Sequence, residues 1–187
     1  MKTSRLDVAA RATVDTTLRA TLRFAAATAL LAGLSAGPAA AAPRAVEAFE
    51  TGSWARWQAT LKQPTVVVFS TTDCAHCPAV FEMLARQIRQ RQLKAKLVAV
   101  VMDLAPGDDD AGLKRDRHFQ GVDRLFAFAG QAPALRYAVE PRWRGVTPYV
   151  VFLTPQRPAL AVTGPPSPAD VDAWVAAAGG AAVQNKP

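Results

Sequence analysis

Val66-Val67-Val68-Phe69-Ser70-Thr71-Thr72-Asp73-Cys74-Ala75-His76-Cys77-Pro78 is the stretch that decides the fold. It opens as a β-branched apolar run and ends on the only two cysteines of the chain. Thr65 to Ser70 predicts a buried parallel strand. Pro78 suits the first turn of a helix, where its missing N–H costs nothing. Beyond it, Val80, Phe81, Leu84, Ile88 and Leu93 recur at helical spacing and form the inward stripe, while Arg86, Arg89, Arg91 and Lys94 face water. Two thiols three positions apart at a strand-to-helix junction can close a small disulfide ring. The first lies at the helix start, where free backbone N–H groups and the helix dipole favour a thiolate. The thiolate is the nucleophile of thiol–disulfide exchange. On its own, Cys-x-x-Cys leaves redox, zinc and copper chemistry open.

The chain has 187 residues, half of them hydrophobic, which suits one domain with a real core and a short appendage. Two cysteines are no disulfide scaffold for a protein of this size, and so small a ring adds little stability. That favours chemistry over stapling. Residues 1–41 read as a signal peptide. Lys2, Arg5, Arg11, Arg19 and Arg23 form the basic region, Phe24 to Ser35 the apolar region, and Ala39-Ala40-Ala41 the cleavage site before Ala42. The competing reading is an uncleaved N-terminal anchor. Both place the domain outside the cytoplasm, periplasmic or secreted, where disulfides persist. The net charge of +7 falls to +4 without residues 1–41, with 17 Lys/Arg against 13 Asp/Glu. No basic stripe interleaved with aromatics points to nucleic acid.

Residues 42–53 read as a lead-in, 54–178 as the domain and 179–187 as a disordered tail. Ser53 is the expected N-cap of a helix from Trp54 to Lys62, with Trp54, Trp57 and Leu61 on one face. Leu97 to Met102 predicts a second buried strand. Pro106-Gly107-Asp108-Asp109-Asp110 reads as a solvated loop. Leu113 to Phe119, Val122 to Phe128 and Ala132 to Tyr137 are expected as short helices. Val146 to Leu153 predicts a third strand, interrupted at its start by Pro148, and Leu160 to Val162 a fourth. Ser167-Pro168-Ala169-Asp170 is a helix N-terminus signature. The helix it opens, Pro168 to Ala177, should bury Val171, Trp174 and Val175.

This order of elements resembles the thioredoxin fold from Trp54 to Ala177. A second motif carries the resemblance: Arg144-Gly145-Val146-Thr147-Pro148-Tyr149-Val150-Val151-Phe152-Leu153 looks like the family's cis-proline segment, in which a proline opens a strand lying against the cysteines. Gly164, before the last helix, also matches the family's layout. The fold class implied is α/β, a central mixed sheet flanked by helices, with a helical insertion at about 104–143 before the cis-proline strand. That insertion and the signal segment look like the extracytoplasmic TlpA, ResA and Sco groups. There are departures. The family's buried acid, six residues before the first cysteine, is Val68 here, the tryptophan before that cysteine is Asp73, and Gly-Pro is replaced by Ala75-His76.

The resemblance implies an extracytoplasmic thiol–disulfide oxidoreductase. Cys74 would be the nucleophile, Cys77 the resolving thiol, and Thr147 and Pro148 the substrate-holding pair. His76, when protonated, would stabilise the Cys74 thiolate, whereas Asp73 would oppose it. The direction of electron flow is therefore open. No cofactor and no metal are implied. The expected partners are protein thiols or disulfides and a recycling redox protein, with the domain a monomer and a membrane contact only through an uncleaved N-terminus. The alternative is a Sco-like copper protein using the same cysteines. Against it, the cysteines are separated by two residues where Sco proteins have three, and no histidine follows His118. Zinc would have only Cys74, Cys77, His76 and His118 as soft ligands. His118, among Lys114, Arg115, Asp116 and Arg117, reads as a surface residue, and Trp143 as a packing one.

Overall fold

The computed structural model describes residues 43–179. The signal segment expected at 1–41 and the tail expected after Gly179 lie outside the described residues. The elements are β1 Val46–Phe49, α1 Ser53–Thr60, β2 Thr65–Ser70, α2 Cys77–Gln90 and β3 Lys96–Val101. There follow α3 Asp110–Arg115, a 3-10 turn Arg117–Phe119, β4 Arg124–Phe128, α4 Ala132–Val139, β5 Tyr149–Leu153, β6 Leu160–Thr163 and α5 Pro168–Ala177.

The six strands form one mixed sheet in the order β1-β4-β3-β2-β5-β6. β1, β4, β3 and β2 run parallel, while β5 is antiparallel to β2 and to β6. Strand direction therefore changes at β2. Phe69 pairs with Tyr149, so the end of β2 and the start of β5 share one edge. Ser70 pairs with Val101, which brings the end of β3 to that edge as well. The cysteine loop, the residues after β3 and the Thr147-Pro148 segment are thus gathered by register alone.

All six residues of β2 are buried, as a strand covered on both faces requires. Alternation sends Val66 and Val68 to one layer, with α2 and α5, and Val67 and Phe69 to the other, with α1 and α4. The first layer is largely aliphatic and holds Cys77, Val80, Phe81, Leu84, Val150 and Val171. The second is aromatic, with Phe49, Trp54, Phe69, Phe126, Phe128, Trp143 and Tyr149 in one cluster. The expected stripe of α2 is present, with Val80, Phe81 and Leu84 buried and Ile88 and Leu93 packed at its margin. α5 has the expected bounds and buries Val171, Trp174 and Val175. Ser167 and Asp170 close a reciprocal capping box at its start.

Four expectations are corrected. Val122 to Phe128 holds no helix, because Arg124–Phe128 is strand β4, wedged between β1 and β3. Leu125 and Ala127 serve one layer and Phe126 and Phe128 the other, so both faces are apolar and no polar side reveals the period. The insertion is therefore not purely helical; it widens the sheet from within. The lead-in supplies β1, whose Phe49 is buried, so the folded unit starts before Trp54. The N-cap of α1 is Gly52, at φ 86°, and Ser53 is the first helical residue. The Ser53 hydroxyl accepts hydrogen bonds from Glu50 N and Arg56 Nη2 instead (2.9 and 3.0 Å).

The Asp108–Asp110 loop uses its carboxylates locally, as expected of a loop. Asp108, Asp109 and Asp110 accept from the backbone N–H groups of Ala105, Gly112 and Gly107 (2.8, 2.9 and 2.8 Å). Among the described residues no helix is long and apolar enough to cross a membrane.

Candidate active site

Cys74 and Cys77 are joined as a disulfide, with their Cα atoms 5.4 Å apart. α2 begins at Cys77 with His76 at the N-cap, so Cys74 stands one turn ahead of the helix instead of inside its first turn. Cys74 N donates to Thr71 O and Cys77 N to Cys74 O, both at 3.2 Å. Val80 N donates to His76 O at 3.3 Å. The turn therefore runs directly into the helix, and Pro78 falls where no N–H is needed. Cys74 is half-buried, whereas Cys77 is buried at 3% exposure. Asp73 and His76 are exposed and make no ion pair among the described residues.

The second wall is the loop before β5. The Thr147–Pro148 peptide bond is cis and Pro148 is buried. Pro148 O accepts from Gly164 N at 2.8 Å, which ties the loop to the end of β6. Thr147 Oγ1 lies 3.5 Å from Thr71 Oγ1, so the two loops touch beside Cys74. The backbone N–H groups of Gly145, Val146 and Thr147 make no hydrogen bond among the described residues. They form an open polar edge beside the cysteine loop that Thr147 touches, which is where an extended chain could pair.

Trp143 holds this loop, as its expected packing role requires. Its ring stacks on Tyr149 at 4.3 Å and 14° and lies 5.1 Å from Phe69. Its Nε1–H donates to Val146 O at 3.0 Å. Burial, and secondarily the charge of Glu140, pushes the Tyr149 phenol above its usual range and keeps it neutral.

Three contributors were not foreseen from the sequence. Asp103, just past β3, accepts from Thr72 N at 2.9 and 3.1 Å and from the Thr72 hydroxyl. It anchors the cysteine loop across the sheet edge. Thr71 bridges to Thr147. The Ser70 hydroxyl is buried at the end of β2 with no hydrogen-bond partner. The first two are contacts between distant segments and leave no local signal. The third was legible only as a polar residue ending an apolar run.

Val68 lies in the same apolar cluster as Cys77, so the family's acidic position is aliphatic here. His118 sits on the 3-10 turn, with Nδ1 3.2 Å from Asp116. That turn leads into the start of β4, at the sheet edge opposite the cysteines. No group of three His, Cys, Asp or Glu side chains that could hold a metal occurs among the described residues.

Comparisons with solved structures return proteins to which this chain is distantly similar. DsbF of MTB, in mixed oxidized and reduced forms, is 16% identical, with 64% of this chain and 84% of that one covered at a TM-score of 0.46. A secreted Mycobacterium tuberculosis disulfide oxidoreductase homologous to E. coli DsbE is 19% identical, with 64% and 85% covered at 0.45. A thioredoxin-related protein from Neisseria meningitidis serogroup B is 21% identical, with 64% and 88% covered at 0.45. No protein-family model and no curated protein matches the chain. The fold is thioredoxin-like: a mixed sheet flanked by helices, with Cys-x-x-Cys leaving its β2 edge and a proline opening β5 beside it.

Proposed function

We propose that the protein is an extracytoplasmic thiol–disulfide oxidoreductase that exchanges disulfides with protein cysteines. One observation carries this reading: a bonded Cys74–Cys77 pair, one residue half-buried and one buried, lies on a loop that touches, through Thr71 and Thr147, the loop carrying the open N–H groups of Gly145–Thr147. In the reducing direction, Cys74 thiolate attacks a substrate disulfide, forms a mixed disulfide and expels one substrate thiolate. Cys77, as thiolate, then attacks the Cys74 sulfur. The Cys74–Cys77 bond forms, the second substrate thiolate leaves, and two electrons have passed to the substrate. The oxidising direction is the exact reverse. In either direction Thr147 and Pro148 hold the substrate chain, and Asp73 and His76, exposed beside the cysteines in the chain, modulate Cys74. A redox partner restores the pair. The export reading rests on the sequence of residues 1–41, and the domain is proposed to act as a monomer in the periplasm or outside the cell, with no cofactor. The copper alternative gains nothing from the site, since the other histidine of the chain, His118, is at the far edge.

The test is exchange with hydroxyethyl disulfide and with a scrambled disulfide protein. Cys74→Ser should reduce both to background, and Cys77→Ser should trap a mixed disulfide visible by mass. A Cys74→Ser variant that keeps turnover would overturn the reading, as would stoichiometric Cu(I) binding without exchange. Equilibration with glutathione gives the direction. A potential of about −120 mV marks a disulfide donor, and one of about −270 mV a reductant.

A further inference from the structure

We infer that the rim beside Thr147 selects substrate segments carrying a carboxylate close to their reacting cysteine, and that the Arg136 guanidinium receives it. The inference rests on the function proposed above and concerns which substrates that site prefers.

Arg136 lies on α4 and is half-buried. Its guanidinium is seated on Gly145, where a Cβ would collide with Nη1 and crowd Cζ. Gly145 is also at φ 87°, a conformation that side chains other than glycine rarely adopt. The missing side chain therefore leaves the place that Arg136 fills, two residues from Thr147. Arg136 makes no ion pair and no side-chain hydrogen bond among the described residues. The nearest acid along α4 is already engaged: Glu140 accepts from Arg142 N and Nε at 3.1 and 3.2 Å. Those bonds hold the Glu140 carboxyl below its usual range, the backbone one first.

The apolar surroundings point the same way. Val146, between Gly145 and Thr147, is 55% exposed and is one of two large apolar side chains this open among the described residues. It adjoins the open N–H groups of the same loop. A chain laid on this edge would meet an apolar contact, free backbone donors and a guanidinium fork with donors to spare. A carboxylate matches that fork in charge and in geometry. Next to Cys74 in the chain, exposed Asp73 repels an acid placed on that side. The rim is thus polarised along its length, cationic on the Gly145 side and anionic on the Cys74 side. The occupant it fits is an extended protein segment with an acidic residue on the Gly145 side of its cysteine.

Two disulfide-linked peptides, identical except for Glu or Lys beside the cysteine, test this at low salt. Each rate is divided by the same variant's rate on neutral hydroxyethyl disulfide. The wild-type chain should favour the Glu peptide about fivefold, the ceiling for an exposed ion pair, with the ratio shrinking as salt rises. Arg136→Gln should bring the ratio to about one, and Arg136→Glu should invert it. Arg144→Gln, at the exposed arginine that precedes Gly145 in the same loop, should keep most of it. An unchanged ratio in Arg136→Gln, or equal losses in Arg136→Gln and Arg144→Gln, overturns the assignment. A wild-type chain inert toward hydroxyethyl disulfide overturns the proposed function instead.

Discussion

The two loops that meet at Cys74 are held by opposite means. The cysteine loop is tied by polar bonds: Asp103 takes the N–H and hydroxyl of Thr72, and backbone bonds link Thr71, Cys74 and Cys77. The proline loop is held by packing, with Trp143 stacked on Tyr149 and Pro148 buried. The difference suits the chemistry. Exchange makes and breaks bonds on the cysteine side, where hydrogen bonds can be re-formed with little rearrangement. In the proposed reaction the opposite wall presents the same edge to every substrate, and close packing resists displacement.

The sharpest way to break this contrast is to remove the stack. Trp143→Ala should cost about 3–5 kcal/mol in urea unfolding, the range for deleting a buried aromatic. A loss below about 1 kcal/mol would show that the loop does not depend on packing. Asp103→Ala should cost less, about 1–2 kcal/mol, because its carboxylate is exposed and water replaces part of each lost bond. It should also change the rate at which reduced Cys74 is alkylated, a readout that Trp143→Phe should leave nearer to wild type. Equal alkylation rates in Asp103→Ala and the parent chain would break the polar half of the contrast.

The smallest effect is expected away from both loops. Ser167→Ala removes the cap of α5 and should cost about 1 kcal/mol. It should also alter the acid limb of stability. The Ser167 hydroxyl, and then its N–H, hold the Asp170 carboxyl below its usual 3.8. The folded chain therefore binds that proton less readily than the unfolded one. The stabilisation is present above the usual carboxylate value and is lost as pH falls through the lower folded value. Urea midpoints below about pH 4 should fall less steeply in Ser167→Ala than in the parent. Parallel acid limbs would remove Asp170 from the account.

What could be read from the sequence follows from where the signals are local. β2 and α5 were legible to the residue, because a β-branched run ended by turn residues, or a Ser-Pro-x-Asp start, decides its own structure. Cys74, Cys77 and the Thr147-Pro148 segment were legible as motifs. β4 was not, since Arg124-Leu125-Phe126-Ala127-Phe128 is apolar on both faces and its strand state comes from neighbours on either side. β1 was hidden for the same reason: four residues have no strand identity until β4 lies beside them. The Asp103–Thr72 tie and the seat of Arg136 on Gly145 join segments far apart in the chain, and no periodicity reports such contacts.

The wedge of β4 also has a consequence in time. Val46 pairs with Leu125 and Phe49 with Phe128, so β1 cannot find its place until Phe128 has been made. Until then β1 has no ladder partner, and the edge of β3 that β4 will cover stays open. Closing so long a loop is slow compared with forming β2, α2 and β3, which are consecutive in the chain. The redox motif belongs to that early unit, whereas β1 waits on β4, as β2 waits on β5 to cover its other edge.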